Sequence, residues 1–372
     1  MADVLFVAPD LSPGGVGRCV TFIADALPLE GLETDLFLLR RFSGEYKVSN
    51  SNVTHALPVI TTPWRFRSAL PLAFWRLLIH LRNEPPAVVC SHGLLCNTLV
   101  AVASTLSMRR YATVAVEHNS PSVHYSGSAL QWMKRWLARY SYARHDLVVG
   151  VSKGVVRDLS AMFPSMAGKF RHVYNGIPLD QVRRLASCTR PPAGDPGIFH
   201  IVAIGRLDAL KDFNTLIEAA EILDDPRIAF TILGDGPERT ALQRRISASR
   251  SRSKVTLAGY VANPFPVLAH AYAFVSTSRR ESFGNAMVEA LCLGVPVIAA
   301  DCPHGPAEIL ADGRYGMLFP VGDACALAAA VLRLVEDPDQ HERLATMAPD
   351  RAAEFSLEQH RRSVAALFNP LL

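Results

Sequence analysis

The sequence predicts an α/β protein built from two doubly wound, parallel-sheet domains of Rossmann-like form. Three observations carry that expectation. Short, β-rich apolar runs alternate with helical stretches from one end of the chain to the other, the pattern of parallel strands covered on both faces by helices. The alternation breaks once, at the Pro- and Gly-rich stretch "ASCTRPPAGDPG" over 186–197, and then restarts, which is how a linker between two folding units reads. And 372 residues are too many for one ordinary hydrophobic core.

In the first series the strands are expected at "VLFVAP", "TDLFLL", "AVVCS", "TVAVE" and "LVVGVS". Between the first two lies "APDLSPGGVGRCVTFIADAL", a strand end, a Gly-rich turn and a helix with Val20, Ile23, Ala24 and Leu27 on one face. Gly14, Gly15 and Gly17 permit positive φ and close backbone approach, and a helix start offers free N–H groups to an anion. The stretch reads equally as a plain tight turn. It is not G-x-G-x-x-G, and no acid stands where a dinucleotide ribose would need one. The second series runs "FHIVAIG", "IAFTILGDG", "KVTLAG", "FVSTS", "VPVIAA" and "GMLFP", with helical stretches such as "DFNTLIEAAEIL" between. The expected domains are residues 1–180, joined by about 356–372, and residues 181–355. The final "FSLEQHRRSVAALF" is an amphipathic helix expected to pack back on the first domain. Ligands of such sheets bind at the carboxyl ends of the strands.

Composition narrows the class. Hydrophobic residues make up 49% and charged residues 19%, ample for globular cores. The most apolar stretch, "GLLCNTLVAVASTLSM", carries Asn, Thr and Ser and is too short for a span, so it reads as a buried helix. "MADVLFVAPD" reads as a first strand and not as a signal peptide. Seven scattered cysteines, never in C-x-x-C spacing, fit reduced thiols in a cytoplasmic protein better than a metal cluster. Charge is uneven: residues 64–144 hold ten Lys and Arg against two acids, Glu84 and Glu117. A one-sided basic half suggests an anionic partner, or simply solvated helix faces. Nucleic acid is disfavoured, because the charge is not organised on a recognised reading module.

Three stretches of the second series carry chemistry. "IGRLDALKDFNTL" places Arg206 and Lys211 in a strand-to-helix loop, where a planar fork and a point charge could clamp a diphosphate. "TILGDGPER" ends another strand in a Gly-Asp-Gly-Pro turn, which could let a nucleoside lie on the backbone. "STSRRESFGNAMVEALCLGVPVIAAD" places Glu281 in a loop and Glu289 eight positions later, inside a helix that Gly294 stops. Helix-start amides near Phe283, Gly284 and Asn285 could hold phosphate or sugar oxygens, and the two carboxylates could accept from hydroxyls. The bland reading is one capping acid and one surface acid.

Taken together, these residues resemble the retaining glycosyltransferases of family 4, which have the GT-B fold and an E-x7-E signature. "PGGVGR", "VEHN" (116–119), "VSKGV" (151–155), "VYNGI" (173–177), "GRLDALKD", "ILGDGPER" and "LAGYV" stand in the family's order along nearly the whole chain. The resemblance implies a nucleotide sugar held mainly by the C-terminal domain and an acceptor held mainly by the N-terminal one, facing each other across a cleft. It implies that Arg206 and Lys211 hold the diphosphate, Glu289 the ribose and Glu281 the donor sugar. The amides of Phe283, Gly284 and Asn285 would line that sugar. His118 would sit by its reacting face, and Gly15 would approach the phosphate and acceptor. Tyr260 and Val261 would pack on the nucleobase. Gly14, Asn119 and Ser152 would be cleft or acceptor residues.

The implied reaction is front-face transfer. The acceptor hydroxyl attacks the anomeric carbon on the side the nucleotide leaves, the departing phosphate oxygen takes the proton, and the protein supplies positioning and charge stabilisation. A glycosidase-like route needs two carboxylates about 5 Å apart at the anomeric carbon, which suits this pair poorly if Glu289 is occupied by ribose. No metal or other cofactor is expected: the only D-x-D, Asp337-Pro338-Asp339, reads as a turn between helices. "DCPHGPAEIL" departs from the family's commoner Gly-Gly loop and resembles bacterial polysaccharide and lipid-linked oligosaccharide enzymes that use UDP-hexose or UDP-N-acetylhexosamine, which points to a UDP-sugar. Glu308 would face the cleft or cap its helix, and Arg279 and Arg280 could pair with acids or touch an anionic substrate.

On the acceptor side, a helical wheel of "QWMKRWLARYSYAR" (131–144) places Trp132, Met133, Trp136, Leu137, Tyr140 and Ala143 opposite Lys134, Arg135 and Arg139. Such a helix suits an anionic membrane surface, or packs its apolar side into the core. The expectation is therefore a glycosyltransferase of envelope glycan synthesis, cytoplasmic or peripheral at the inner membrane face, acting on a lipid- or polysaccharide-linked acceptor. A sugar-nucleotide epimerase or hydrolase of the same fold is the alternative, and a non-catalytic nucleotide-sugar binder is a third reading.

Overall fold

The computed structural model describes residues 2–12, 15–60, 62–107, 111–119, 121–125, 129–188 and 197–372. The chain forms two compact units, Met1–Gly176 with Leu357–Leu372, and Ile177–Ser356. The Pro- and Gly-rich stretch 186–197 falls inside the second unit, and 189–196 of it lies outside the described residues.

The first unit runs β1 (Val4–Ala8), α1 (Gly15–Ala26), β2 (Thr34–Leu38), β3 (Asn52–His55), α2 (Pro63–Asn83), β4 (Val88–His92), α3 (Gly93–Leu106), β5 (Ala112–Glu117), α4 (Pro121–His124), α5 (Ala129–Arg144), β6 (Leu147–Gly150), α6 (Lys153–Met162) and β7 (Phe170–His172). Its seven strands lie in the order β3-β2-β1-β4-β5-β6-β7, and each pairs in parallel with its neighbours. Alternation along the strands sorts the two layers. Leu5, Val7 and Val89 point into a core with Ala73, Leu77 and Leu81 of α2 and Cys96, Val100 and Ala103 of α3. Phe6 and Cys90, one position out of phase, line the opposite side with Cys19 and Ile23 of α1.

The second unit runs α7 (Leu179–Ser187), β8 (Phe199–Ile204), α8 (Phe213–Leu223), β9 (Ile228–Leu233), α9 (Arg239–Ala248), β10 (Lys254–Gly259), α10 (Phe265–Ala269), β11 (Ala273–Ser276), α11 (Asn285–Cys292), β12 (Val297–Ala300), α12 (Pro306–Ile309), β13 (Met317–Phe319), α13 (Ala324–Glu336) and α14 (Pro338–Ala353). Its six strands lie in the order β10-β9-β8-β11-β12-β13, again all parallel. Ile201, Phe230, Ile232, Val275 and Ile298 of the sheet bury against Phe213, Leu216 and Ile217 of α8 and Leu327, Val331 and Leu334 of α13. Two helix starts of this unit are capped by carboxylates. Asp323 accepts from Ala326 N at 2.9 Å and Asp337 from Gln340 N at 2.9 Å. The D-x-D thus lies at the start of α14.

After α14 the chain returns to the first unit as α15 (Leu357–Phe368). There His360 lies against Gly176, where a Cβ would approach the ring's own Cβ to 2.6 Å, and Arg361 pairs with Glu30 at 2.8 Å. Two strands were not legible in the sequence, β3 and β7. Both are sheet edges, and the edge residues Asn52, Val53 and Thr54 are exposed, so no apolar run marks them.

Helix α5 does not bury its tryptophans. Its inward side is Ala138, Ser141, Tyr142 and His145 just beyond it. Trp132, Met133 and Trp136 lie on the surface instead of in the core. All seven cysteines are free thiols, five of them buried. Among the described residues no helix is long and apolar enough to cross a membrane.

Candidate active site

In the second unit the carboxyl ends of β8, β9, β11 and β12 carry the loops that matter. The loop after β8 spans Gly205 to Asp212 and is stitched to the loop after β9: Gly205 N donates to Leu233 O at 3.0 Å, Leu207 N to Asp235 O at 3.0 Å and Glu238 N to Leu207 O at 3.0 Å. Gly234 makes this approach possible. Its φ is 151°, and a Cβ there would stand 1.8 Å from the Gly205 carbonyl oxygen. The glycines of "GDG" therefore let one loop backbone lie on the other.

The loop after β11 is held from the other side. Thr277 Oγ1 donates to Lys211 O at 2.8 Å and Arg279 N to Leu210 O at 2.8 Å. The Arg279 guanidinium pairs with buried Asp212 at 2.9 Å, so of the sequence's two options for Arg279 the acid partner is found. Against this frame the Lys211 ammonium forms an ion pair with Glu281, and Ser278 Oγ donates to the same carboxylate oxygen at 2.7 Å. Sequence spacing brings Ser278 to Glu281 but not Lys211 or Asp212 to this loop; the parallel adjacency of β8 and β11 does that.

Glu289 lies just over a turn into α11 and is only 5% exposed. Gly284, at φ 115°, is the residue from which α11 starts, placing Phe283 and Asn285 on either side of the helix N-terminus. Arg206 projects outward, 74% exposed, with Asp208 3.9 Å away. Tyr260, after β10, is equally exposed, and Val261 is half-buried. The loop after β12 touches the same place. Gly305 could not carry a Cβ without meeting Phe283 O at 1.9 Å. The buried Cys302 thiol is pushed up to about 12, by burial first and then by the Glu281 charge; it is a neutral wall beside that carboxylate. Glu308 lies in the first turn of α12, its backbone oxygen accepting from Arg351.

In the first unit, His118 follows β5. Its Nε2 stands 2.9 Å from Nδ1 of His92 at the end of β4, with the rings stacked at 5.2 Å. Burial, and then the positive charge His360 could carry, hold the His118 imidazole down at about 4. Burial likewise holds His360 at about 4 and His92 well below the usual histidine range. The three rings border an apolar pocket with Cys19, Val116 and Phe368. His360 comes from α15, more than two hundred residues away in sequence, and motif reading singles out neither it nor His92.

Asn119 is exposed, and its N–H donates to Glu117 Oε1 at 2.9 Å. The hydroxyls of Tyr125 and Tyr142 each donate to Glu117 Oε2 at 2.7 Å. Ser152 is fully buried, its hydroxyl capping α6 by accepting from Val155 N at 3.1 Å. Gly15 opens α1 with open space where a Cβ would be. Gly14 lies outside the described residues. Among the described residues no group of three or more His, Cys, Asp or Glu is arranged to hold a metal ion.

Comparison with known proteins finds two family models in tandem. Residues 13–181 match "Glycosyltransferase Family 4", and residues 198–337 match "Glycosyl transferases group 1". The chain belongs to glycosyltransferase family 4. An uncharacterized glycosyltransferase of Methanocaldococcus jannaschii is 27% identical over 257 residues, 59% of this chain and 63% of that protein. The Campylobacter jejuni N-acetylgalactosamine-N,N'-diacetylbacillosaminyl-diphospho-undecaprenol 4-alpha-N-acetylgalactosaminyltransferase is 26% identical over 260 residues, 69% of each chain. The match thus spans about two thirds of the length of these curated relatives. Among solved structures, HepE of Anabaena in complex with UDP superposes with a TM-score of 0.81 at 20% identity, covering 99% of this chain and 100% of that one. This family 4 glycosyltransferase therefore has the GT-B fold, two parallel-sheet Rossmann-like domains.

Proposed function

We propose that this glycosyltransferase moves a hexose or N-acetylhexosamine, with retention of anomeric configuration, from a UDP-linked donor to a lipid- or polysaccharide-linked glycan acceptor. The observation that carries the reading is the Lys211–Glu281 pair at the carboxyl ends of β8 and β11, beside the N-terminus of α11. A cation poised next to helix-start amides suits a diphosphate, and an adjacent carboxylate that accepts hydrogen bonds suits a sugar's hydroxyls. Lys211 and Glu281 satisfy each other across the two loops. With donor bound, Lys211 and the exposed Arg206 take the phosphates, and Glu281 accepts from the sugar. Glu289, buried in α11, takes the ribose diol. The named substrates of relatives agree: the Campylobacter enzyme is named for a diphospho-undecaprenol acceptor, and HepE binds UDP.

The acceptor oxygen forms its bond to the anomeric carbon as the bond from that carbon to the diphosphate oxygen breaks. The acceptor proton passes to that leaving oxygen, giving glycoside and UDP. Arg206, Lys211 and the amides near Gly284 stabilise the charge that accumulates on the diphosphate, so their interactions strengthen in the transition state. No metal takes part in this proposal. The test is a panel of nucleotide sugars screened by thermal stabilisation, followed by NMR assignment of the product anomer. Stabilisation by UDP-sugars and an α-linked product from an α-linked donor are expected. An inverted product, or hydrolysis or epimerisation without transfer to any glycan acceptor, overturns it.

A further inference from the structure

The chain contains four tryptophans. All four lie on two helices of the first unit and all four are exposed: Trp64 (66%) and Trp75 (55%) on α2, Trp132 (70%) and Trp136 (56%) on α5. Leu72 and Ile79 on α2 and Leu130 and Met133 on α5 are exposed with them. Both helices pack against α3. Leu5, Val7 and Val89 face α2 and α3. Ser91, in phase with Val89, reaches His145 at the end of α5 and Asn97 of α3. The three helices therefore form one layer on one side of the sheet. Large apolar side chains concentrated on the outer side of one layer mark an interaction surface.

Charge says what covers it. Helix α2 carries Arg65, Arg67, Arg76 and Arg82, and α5 carries Lys134, Arg135, Arg139 and Arg144; neither helix, nor α3 between them, contains an acid. Among the described residues none of the eight is paired with a carboxylate. Two copies meeting through this face would oppose cation to cation. A bilayer with anionic headgroups would complement it. Indoles combine an apolar body with a polar N–H and favour the headgroup level, while long basic stems lie along apolar surface with their charges outward.

We propose that the outer face of α2 and α5 docks on an anionic lipid bilayer, the tryptophans entering the interface and the arginines pairing with lipid phosphates. This goes beyond the transfer reaction and would hold even for a water-soluble acceptor, so its failure and the failure of the transferase reading are separable.

Because every tryptophan lies on this face, selectively excited tryptophan fluorescence of the intact protein reports on it alone. With phosphatidylcholine vesicles containing phosphatidylglycerol, we expect a blue shift, quenching by brominated acyl chains and cosedimentation. All three should weaken with salt and be much smaller on phosphatidylcholine alone. Paired Trp132→Ser and Trp136→Ser substitutions, and separately Arg135→Glu with Arg139→Glu, alter exposed side chains and should preserve the circular dichroism spectrum. The charge reversal should weaken binding ~5-fold or more for each residue, the contribution of one basic side chain near such a surface. Absence of a spectral shift with the anionic vesicles overturns the proposal. So does vesicle binding that neither pair of substitutions reduces, or self-association in place of vesicle binding that the tryptophan substitutions dissolve.

Discussion

The Lys211 ammonium meets the Glu281 carboxylate across seventy residues of chain, with Ser278 donating to the same oxygen. The pair is only partly exposed, 29% and 14%. Removing Lys211 therefore costs twice: the cation is lost, and the carboxylate is left with one hydroxyl donor. Lys211→Ala and Glu281→Ala should each lower kcat by about 10²-fold or more, the scale of one lost transition-state donor. Steady-state kinetics with donor and acceptor check this, and near-normal turnover of the Lys211 variant would remove the diphosphate assignment.

Glu289→Ala should act differently. Buried in α11 and assigned to the ribose, its carboxylate binds ground state and transition state alike. The expected effect is a rise in donor KM of roughly tenfold, the size of a charged hydrogen bond of about 1.5 kcal/mol, with kcat changed less. The comparison of donor affinity with turnover decides it; a kcat collapse at saturating donor would place Glu289 at the reacting centre instead.

Gly234→Ala tests the loop frame. The added Cβ would clash with the Gly205 carbonyl, and the φ of 151° is strained for any other residue. A loss of about 2–4 kcal/mol in unfolding free energy is expected, together with weaker UDP binding through the displaced Arg206 loop. A chemical denaturation curve and a UDP titration measure the two, and an unchanged midpoint would show that the loops separate freely.

The clustered histidines predict an acid limit. In the folded chain His118 and His360 titrate near 4, against about 6.5 when unfolded. The unfolded chain therefore binds protons first as pH falls. Their contribution to stability is complete above about 6.5 and is lost between 6.5 and 4. The denaturation midpoint should fall across that window, and His360→Gln should flatten the fall. An equally steep fall in that variant would assign the acid sensitivity to other groups.

Arg279→Ala leaves buried Asp212 without its guanidinium, at the point where the Lys211 loop enters α8. Donor KM should rise several-fold, Arg279→Lys should restore part of it, and calorimetric titration with UDP reads both. No change in either variant would confine Arg279 to the surface.

Much of this was legible before any coordinates. Apolar runs that alternate with helical stretches announce buried parallel strands because both faces of such strands are covered. Two edges, β3 and β7, escaped because an edge strand such as Asn52–His55 needs no apolar run. The residues of the candidate site were legible because glycines, a cation pair and two carboxylates recur at spacings set by the local turn from strand to helix. Their partners were not. Nothing in the local spacing of Arg279 favours Asp212 over an anionic ligand, and His360 joins His92 and His118 only because α15 returns to the first unit. The wheel of α5 set its tryptophans opposite its basic residues, yet the helix turns Ala138, Ser141 and Tyr142 inward and leaves Trp132 and Trp136 exposed together with Arg135 and Arg139. By itself the sequence determined most of the elements, their parallel arrangement and the chemical type of the residues singled out for the site, because periodicity and turn chemistry act within a few residues. The tertiary structure alone decided which charges pair and which apolar face stays in water, because those outcomes depend on what strand adjacency and helix packing bring from far along the chain.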